Sequence, residues 1–216
     1  MRPNAPLLAA LALPLAALVA GDAAAQQASS PDNPHIGHVA TSFRDTPEMK
    51  GLLPTAMAEA QVAAQHAGFA LRDLSSLDGM KRHAAHVLHA VDPTQIAQGP
   101  GAGYGVKRAV EGVATHIELA AKVEGAPQGV VTHSVHIATS ARNTAKRAEE
   151  IAALAKRIEA TTTAAEAAPL VEQLNAKAAA LLAGVDANSD GRIGWQEGEG
   201  GLETSETHLG LMMGSL

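Results

Sequence analysis

Apolar residues in this chain recur with the period of an α-helix, and glycine or proline follows several of these stretches. One example is residues 76–91, where six apolar residues lie at helical spacing: Leu77, Met80, Ala84, Val87, Leu88 and Val91. Alanine, the strongest helix former, is frequent, whereas aromatic residues make up only 2% of the chain. A β-sandwich or barrel depends on aromatic and β-branched residues. The pattern therefore predicts an all-α fold.

The period indicates five long helices, at about 54–70, 76–91, 106–123, 128–160 and 164–185. Thr163 and Glu166 have the spacing of a capping box, which marks the start of the fifth helix. Short connections rich in glycine and proline favour antiparallel neighbours. We therefore expect an antiparallel four- to five-helix bundle.

The N-terminal residues predict export. Arg2 precedes an apolar run over residues 7–21, and small residues follow at 23–25, which is the pattern of a signal peptide. The run is short for a membrane span, which needs roughly 20 residues. We expect cleavage after Ala25, no membrane span after cleavage, and a periplasmic or secreted protein.

Composition and the positions of proline and glycine divide the remaining chain into three parts. Residues 26–50 are polar and contain Pro31, Pro34 and Pro47, so we expect an extended N-terminal segment. Residues 51–168 form the predicted histidine-rich bundle, and residues 169–216 form a C-terminal segment packed on it. No cysteine is present, which excludes disulfides, thiolate metal sites and cysteine nucleophiles. The formal net charge of −6 disfavours nucleic acid as a partner, and the protein partner is left open.

Residues 186–197 read DANSDGRIGWQE and match the pattern D-x-[DN]-x-[DN]-G-x₅-E at every position. This stretch resembles an EF-hand calcium-binding loop. The resemblance implies calcium as a cofactor, with one backbone carbonyl and four side chains as ligands: Arg192 through its carbonyl, and Asp186, Asn188, Asp190 and Glu197 through their side chains. Gly191 occupies the sixth position, where the loop turns sharply.

Two features depart from an EF-hand. The sequence Gly198-Glu199-Gly200-Gly201 follows Glu197 and delays the exiting helix to about 202–213, because glycine disfavours helix. No second loop is present to pair with Ile193. We therefore expect a calcium site that is mainly structural or responsive, with an affinity of roughly 10⁻⁴–10⁻³ M as in extracellular modules.

Histidine is the second unusual feature, with ten residues against sixteen lysines and arginines. Four pairs have the spacing H-x-x-H, which places two imidazoles on one helix face: His35/His38, His83/His86, His86/His89 and His133/His136. His66, His83, His116 and His133 belong to four different predicted helices and lie beside their apolar stripes. We expect these histidines to converge along one seam of the bundle, as a candidate second metal or haem site formed by His66, His83, His86, His116, His133 and His136.

Imidazole binds zinc, copper, nickel and iron, so the spacing does not identify the ion. A b-type haem held by two histidines is an alternative, and boundary histidines that only form hydrogen bonds are another. H-E-x-x-H and E-x-x-H are both absent, and no acid–base motif is recognisable. The leading interpretation is an exported, non-enzymatic calcium-binding protein. The alternatives are a periplasmic transition-metal or haem carrier and an enzyme built on such a metal site.

Overall fold

The computed structural model describes residues 33–216, and all regular secondary structure in that part of the chain is helical. The seven α-helices are α1 (Pro34–Ala40), α2 (Leu52–Leu71), α3 (Leu77–Val91), α4 (Val106–Ala121), α5 (Gln128–Ala160), α6 (Ala164–Ala183) and α7 (Leu202–Met213). The helices pack against one another around one apolar core. The prediction of an all-α bundle is therefore confirmed.

The five long helices predicted from the periodicity correspond to α2–α6, and their ends agree within about two residues of the expected bounds. The capping box is present, because the Thr163 hydroxyl accepts from Glu166 N and the Glu166 carboxylate accepts from Thr163 N. The exiting helix also begins at Leu202, as expected. Local sequence signals thus determine where most of these helices begin and end.

The expectation of an extended segment over residues 26–50 is wrong for its described part. Residues 34–40 form helix α1, and Pro47–Met49 form a 3₁₀ turn. Asn33 caps α1 by accepting from His35 N, and its amide donates to Ala120 O at the end of α4. Ile36 and Val39 are buried in the core. Such a short helix is unstable alone, so these tertiary contacts explain why α1 forms.

Alanine allows the helices to approach closely in the centre of the bundle. Helix α2 contacts α3, α4 and α6 through alanines that are at most 2% exposed: Ala56, Ala60, Ala63, Ala67 and Ala70. Helix α5 spans the bundle and contacts α3, α4, α6 and α7. Since α1 packs on α4 and α7 packs on α5, the first and last helices each have a long helix as support.

A buried carboxylate positions the start of α4. Glu59 on α2 is 1% exposed, and its Oε1 accepts from Tyr104 N at 2.8 Å and from Gly105 N at 3.2 Å. Gly105 is the residue immediately before α4, with φ of +86°, a conformation that glycine adopts readily. Glu59 therefore positions α4 relative to α2.

A buried arginine attaches the segment before α7 to the bundle. The Arg147 guanidinium on α5 donates to the carbonyls of Gly198, Glu199 and Gly200, and it is 7% exposed. Asn143, one turn earlier, donates to Gln196 O and accepts from Gly198 N. Burial lowers the pKa of Arg147. These contacts determine the path of the chain into α7.

Among residues 33–216, no helix has both the length and the apolar character needed to cross a bilayer. The predicted signal peptide, residues 1–25, lies outside the described residues.

Candidate metal centres

The first candidate centre joins α1 to α4. His35 and His38 lie one turn apart on α1, and both face His116 on α4. The Nδ1 atom of His116 is 3.0 Å from His35 Nδ1 and 3.3 Å from His38 Nδ1. All three rings are half-buried. We call this group triad 1.

The second centre joins α2 to α3 and has the same composition. His83 and His86 form the H-x-x-H pair on α3. His66 on α2 is the single histidine that faces both of them. His66 Nδ1 is 3.1 Å from the Nδ1 atoms of both His83 and His86. These rings are also half-buried. We call this group triad 2.

The third centre joins α5 to α7. His133 and His136 form the pair on α5, and His208 on α7 completes the group. His208 Nδ1 is 3.1 Å from His133 Nδ1 and 3.4 Å from His136 Nδ1. We call this group triad 3. Because the Arg147 contacts precede α7 in the chain, they also position His208.

The three centres share one geometry, in which the Nδ1 atom of a central histidine lies 3.0–3.4 Å from the Nδ1 atoms of the two others. Within each triad the ligand atoms lie within 4.8 Å of one another. Three nitrogens bound to one tetrahedral zinc ion at 2.0–2.1 Å would be about 3.3 Å apart. Hydrogen bonding explains the arrangement less well, since the single Nδ1 of the central ring faces two other Nδ1 atoms and can serve only one fully. Each triad could therefore hold a metal ion coordinated by three imidazoles.

Aromatic rings accompany all three triads, although the chain has only four Phe, Tyr and Trp residues. The Phe43 ring lies 5.0 Å from His116 in triad 1, and the Phe69 ring lies 5.2 Å from His66 in triad 2. Trp195 stacks on His136 in triad 3, with ring centroids 4.2 Å apart and an interplanar angle of 19°. An apolar ring beside a ligand restricts its orientation and excludes water from one side.

The electrostatic surroundings keep most of these imidazoles neutral. Burial is the largest cause that lowers the pKa of five imidazoles, and a neighbouring histidine is the second cause in most of them. The five are His66, His83, His86, His116 and His136. For His208, burial and the nearby His136 and His133 lower the pKa to about 4. A metal ligand must be neutral imidazole with a free lone pair. The six rings with a lowered pKa therefore offer such lone pairs at neutral pH.

The expectation of one histidine seam is wrong. His66, His83 and His86 do come together, but His116 belongs to triad 1 and His133 and His136 belong to triad 3. The reason is that His116 faces α1 and His133 faces α7, so the two terminal helices separate the predicted ligands into different centres. His89, the tenth histidine, is buried and contacts Ile96 O, outside all three triads.

His35, His38 and His208 belong to the triads, but the predicted site set did not include them. A signal for the first two is present in the sequence. The string His35–Arg44 reads HIGHVATSFR and the string His133–Arg142 reads HSVHIATSAR, with identical residues at six of ten positions. This internal repeat relates the H-x-x-H pairs of triads 1 and 3. His208 has no such signal, because it is a single histidine outside any H-x-x-H pair.

The loop at residues 186–197 has the turn geometry that its sequence predicts. Gly191 has φ of +84°, and its N–H donates to Asp186 Oδ2 at 2.9 Å. Asn188 and Asp190 accept from amides of the same loop, and Glu197 is exposed. Within residues 33–216, the carboxylates of Asp186, Asp190 and Glu197 are not among the close ligand groups, which are the three triads. Calcium binding therefore stays a prediction.

No family model, no curated protein sequence and no solved structure matches this chain. What can be said of its function therefore rests on the three centres themselves.

Proposed function

We propose that this protein binds up to three transition-metal ions, one at each triad, and carries or stores them. The observation that supports the proposal is made at three places in one small bundle: the Nδ1 atom of a central histidine lies 3.0–3.4 Å from the Nδ1 atoms of two others. One triad alone could be an accident of packing. Three triads with the same composition, the same nitrogen atom at the contact and an adjacent aromatic ring are better explained by a common function, the binding of a metal ion.

The donor set favours a borderline ion such as zinc, copper(II), nickel or iron(II), because imidazole suits these metals and sulfur ligands are absent from the triads. It favours a bare ion over a b-type haem. Two axial histidines of a haem bind on opposite faces of the porphyrin. In each triad the central Nδ1 lies only 3.0–3.4 Å from the Nδ1 atoms of its two partners, and all ligand atoms lie within 4.8 Å of one another, which leaves no space for a ring between them.

A carrier or storage role fits the surroundings of the sites. The nine imidazoles are half-buried, so an ion can reach them from solvent. Among residues 33–216, the three ligand groups consist of histidine alone. The N-terminal sequence pattern supports the further proposal that the protein acts after export, in a periplasm or outside the cell. Mass spectrometry of the exported protein tests this, with Gln26 expected as the first residue.

Equilibrium dialysis of the metal-free chain against zinc, copper(II) and nickel tests the main proposal. We expect close to three equivalents of at least one ion to remain bound at micromolar free metal. Elemental analysis of protein purified from its own compartment then identifies the physiological ion. Binding of less than one equivalent of every ion would contradict the proposal and leave the histidines as hydrogen-bonding groups.

Calcium binding by residues 186–197 is a second, separate proposal, supported by the complete twelve-position match and by the positive φ at Gly191. Calcium bound only by the folded chain stabilises it by mass action. We expect millimolar calcium to raise the melting temperature of the wild-type chain but not of Asp186→Ala or Glu197→Ala. Glu206→Ala, at an exposed position on α7, is the matched control and keeps the effect. An unchanged wild-type melting temperature would reject the calcium site.

A further inference from the structure

Each triad supplies three protein ligands to its candidate ion. Within the described part of the chain, none of the three groups contains a fourth histidine or a carboxylate. Structural zinc sites have four protein ligands, whereas sites with three keep one position for water or for an exchangeable molecule. An ion at a triad would therefore have an incomplete coordination sphere unless something other than these histidines completes it.

A groove adjoins triad 3 on the side of His208, and neither His133 nor His136 lines it. This groove of about 430 Å³ lies against His208, the central ligand of this triad, and against Trp195, which stacks on His136. The groove is also lined by Gly194, Thr204 and Thr207, with Glu203 among its exposed residues. A volume of this order accommodates a small molecule, and the lining offers apolar contact from the indole together with polar contact from hydroxyl groups.

We propose that the ion at His133, His136 and His208 keeps an exchangeable fourth ligand and that the groove admits a small anionic donor to that position. The inference rests on the proposed metal-binding function. A histidine ligand adds no negative charge to a bound ion, so a divalent ion would keep its positive charge and an anion is electrostatically preferred to a neutral ligand. Exchange of this ligand would allow the ion to be released to an acceptor without prior unfolding of the site.

Glu203 is the competitor within the chain. Its carboxylate does not belong to the group of ligand atoms in triad 3, but it lies along the same groove. A change of its side-chain rotamer towards His208 would provide a fourth protein ligand and make the site closed. The test must therefore separate an external donor from this carboxylate.

Cobalt(II) in place of the native ion provides the test, because its visible absorption bands depend on the number and type of ligands. Replacement of the central histidines of triads 1 and 2, in the double variant His66→Asn and His116→Asn, leaves triad 3 as the cobalt site. We expect azide to shift these bands with a saturable dependence on its concentration. The variant Glu203→Gln is expected to show the same shift.

Three results would overturn the inference. A cobalt spectrum that does not respond to azide would show a closed site. A spectrum that responds only in Glu203→Gln would identify Glu203 as the fourth ligand. Absence of any cobalt spectrum in the wild-type chain would contradict the proposed function itself, and the inference with it. If the double variant does not fold, the wild-type chain and His208→Asn form the alternative pair, because only the wild-type chain then has the azide response of triad 3.

Discussion

A histidine binds metal through one lone pair, so the direction of a single ring decides whether a triad is complete. His208 is the central ligand of triad 3, with Nδ1 3.1 Å from His133 Nδ1 and 3.4 Å from His136 Nδ1. Replacement by asparagine removes the ring nitrogen that faces both partners. We expect His208→Asn to bind two equivalents of zinc instead of three in equilibrium dialysis.

The chain contains a single tryptophan, which gives the same variant a second measurement. Trp195 stacks on His136, so copper(II) at triad 3 should quench its fluorescence in the wild-type chain and not in His208→Asn. His89→Asn is the matched control, since His89 lies outside the triads. Loss of zinc from His89→Asn, or three equivalents still bound by His208→Asn, would contradict the assignment.

The lowered pKa values of the triads predict how the metal-free protein responds to acid. Histidine in the unfolded chain titrates near pH 6.5, whereas His208 in the folded chain has a pKa of about 4. Between these values the unfolded chain binds more protons, so stability present above pH 6.5 is lost as the pH falls towards 4. The free energy of unfolding should decrease by about 2 kcal/mol, a value reduced for the solvent exposure of the rings.

Urea denaturation with a chelator present, at several pH values between 7.5 and 4.5, measures this loss. The control is a variant in which the central histidines His66, His116 and His208 are replaced by asparagine, because it lacks three of the titrating rings. The free energy of unfolding of this variant should change less with pH over the same range. Identical profiles for the two proteins would assign the acid sensitivity to other groups.

At the scale of elements, the attachment of α7 depends on one side chain of α5. The Arg147 guanidinium is buried and donates to three carbonyls of residues 198–200. Arg147→Ala leaves those carbonyls without their donor in a buried place, which typically costs about 3 kcal/mol of stability. We also expect zinc binding at triad 3 to weaken, while triads 1 and 2 stay unaffected, because His208 follows this segment.

Chemical denaturation and zinc titration of Arg147→Ala check both expectations. Lys156→Ala is the control, as Lys156 is an exposed residue of the same helix. It should change the free energy of unfolding by less than about 0.5 kcal/mol. An Arg147→Ala chain with wild-type stability and three zinc equivalents would show that α7 is held by its apolar contacts alone.

Helices α2–α6 could be predicted from the sequence and helix α1 could not, because the two sets are stabilised by different interactions. Helices α2–α6 have long apolar stripes and clear end signals such as Thr163 and Glu166, so local rules are sufficient to locate them. Helix α1 has two buried residues and two histidines in seven positions, and it depends on α4 for support. The triads were missed as groups for the same reason. Periodicity shows which face a histidine is on, but not which helix lies opposite.

At the scale of the whole molecule, the three triads link different pairs of helices. Triad 1 joins α1 to α4, triad 2 joins α2 to α3, and triad 3 joins α5 to α7. Helix α6 contributes no histidine to any of them. In a chain without cysteine, bound ions would thus cross-link the first and last described helices to the bundle. The terminal helices should be the parts whose local stability depends most on metal.

Hydrogen exchange with and without zinc measures that dependence along the chain. A ligand at 100 times its dissociation constant stabilises the bound form by about 2.7 kcal/mol, which corresponds to roughly 100-fold slower exchange where local opening breaks the site. We expect this slowing in α1 and α7 and little change in α6. His116→Asn should abolish the effect in α1 and leave it in α7, since only triad 1 loses its central ligand. Equally slowed hydrogen exchange in all helices would contradict this expectation. It would show that zinc stabilises the chain only against global unfolding and that the triads do not hold the terminal helices individually.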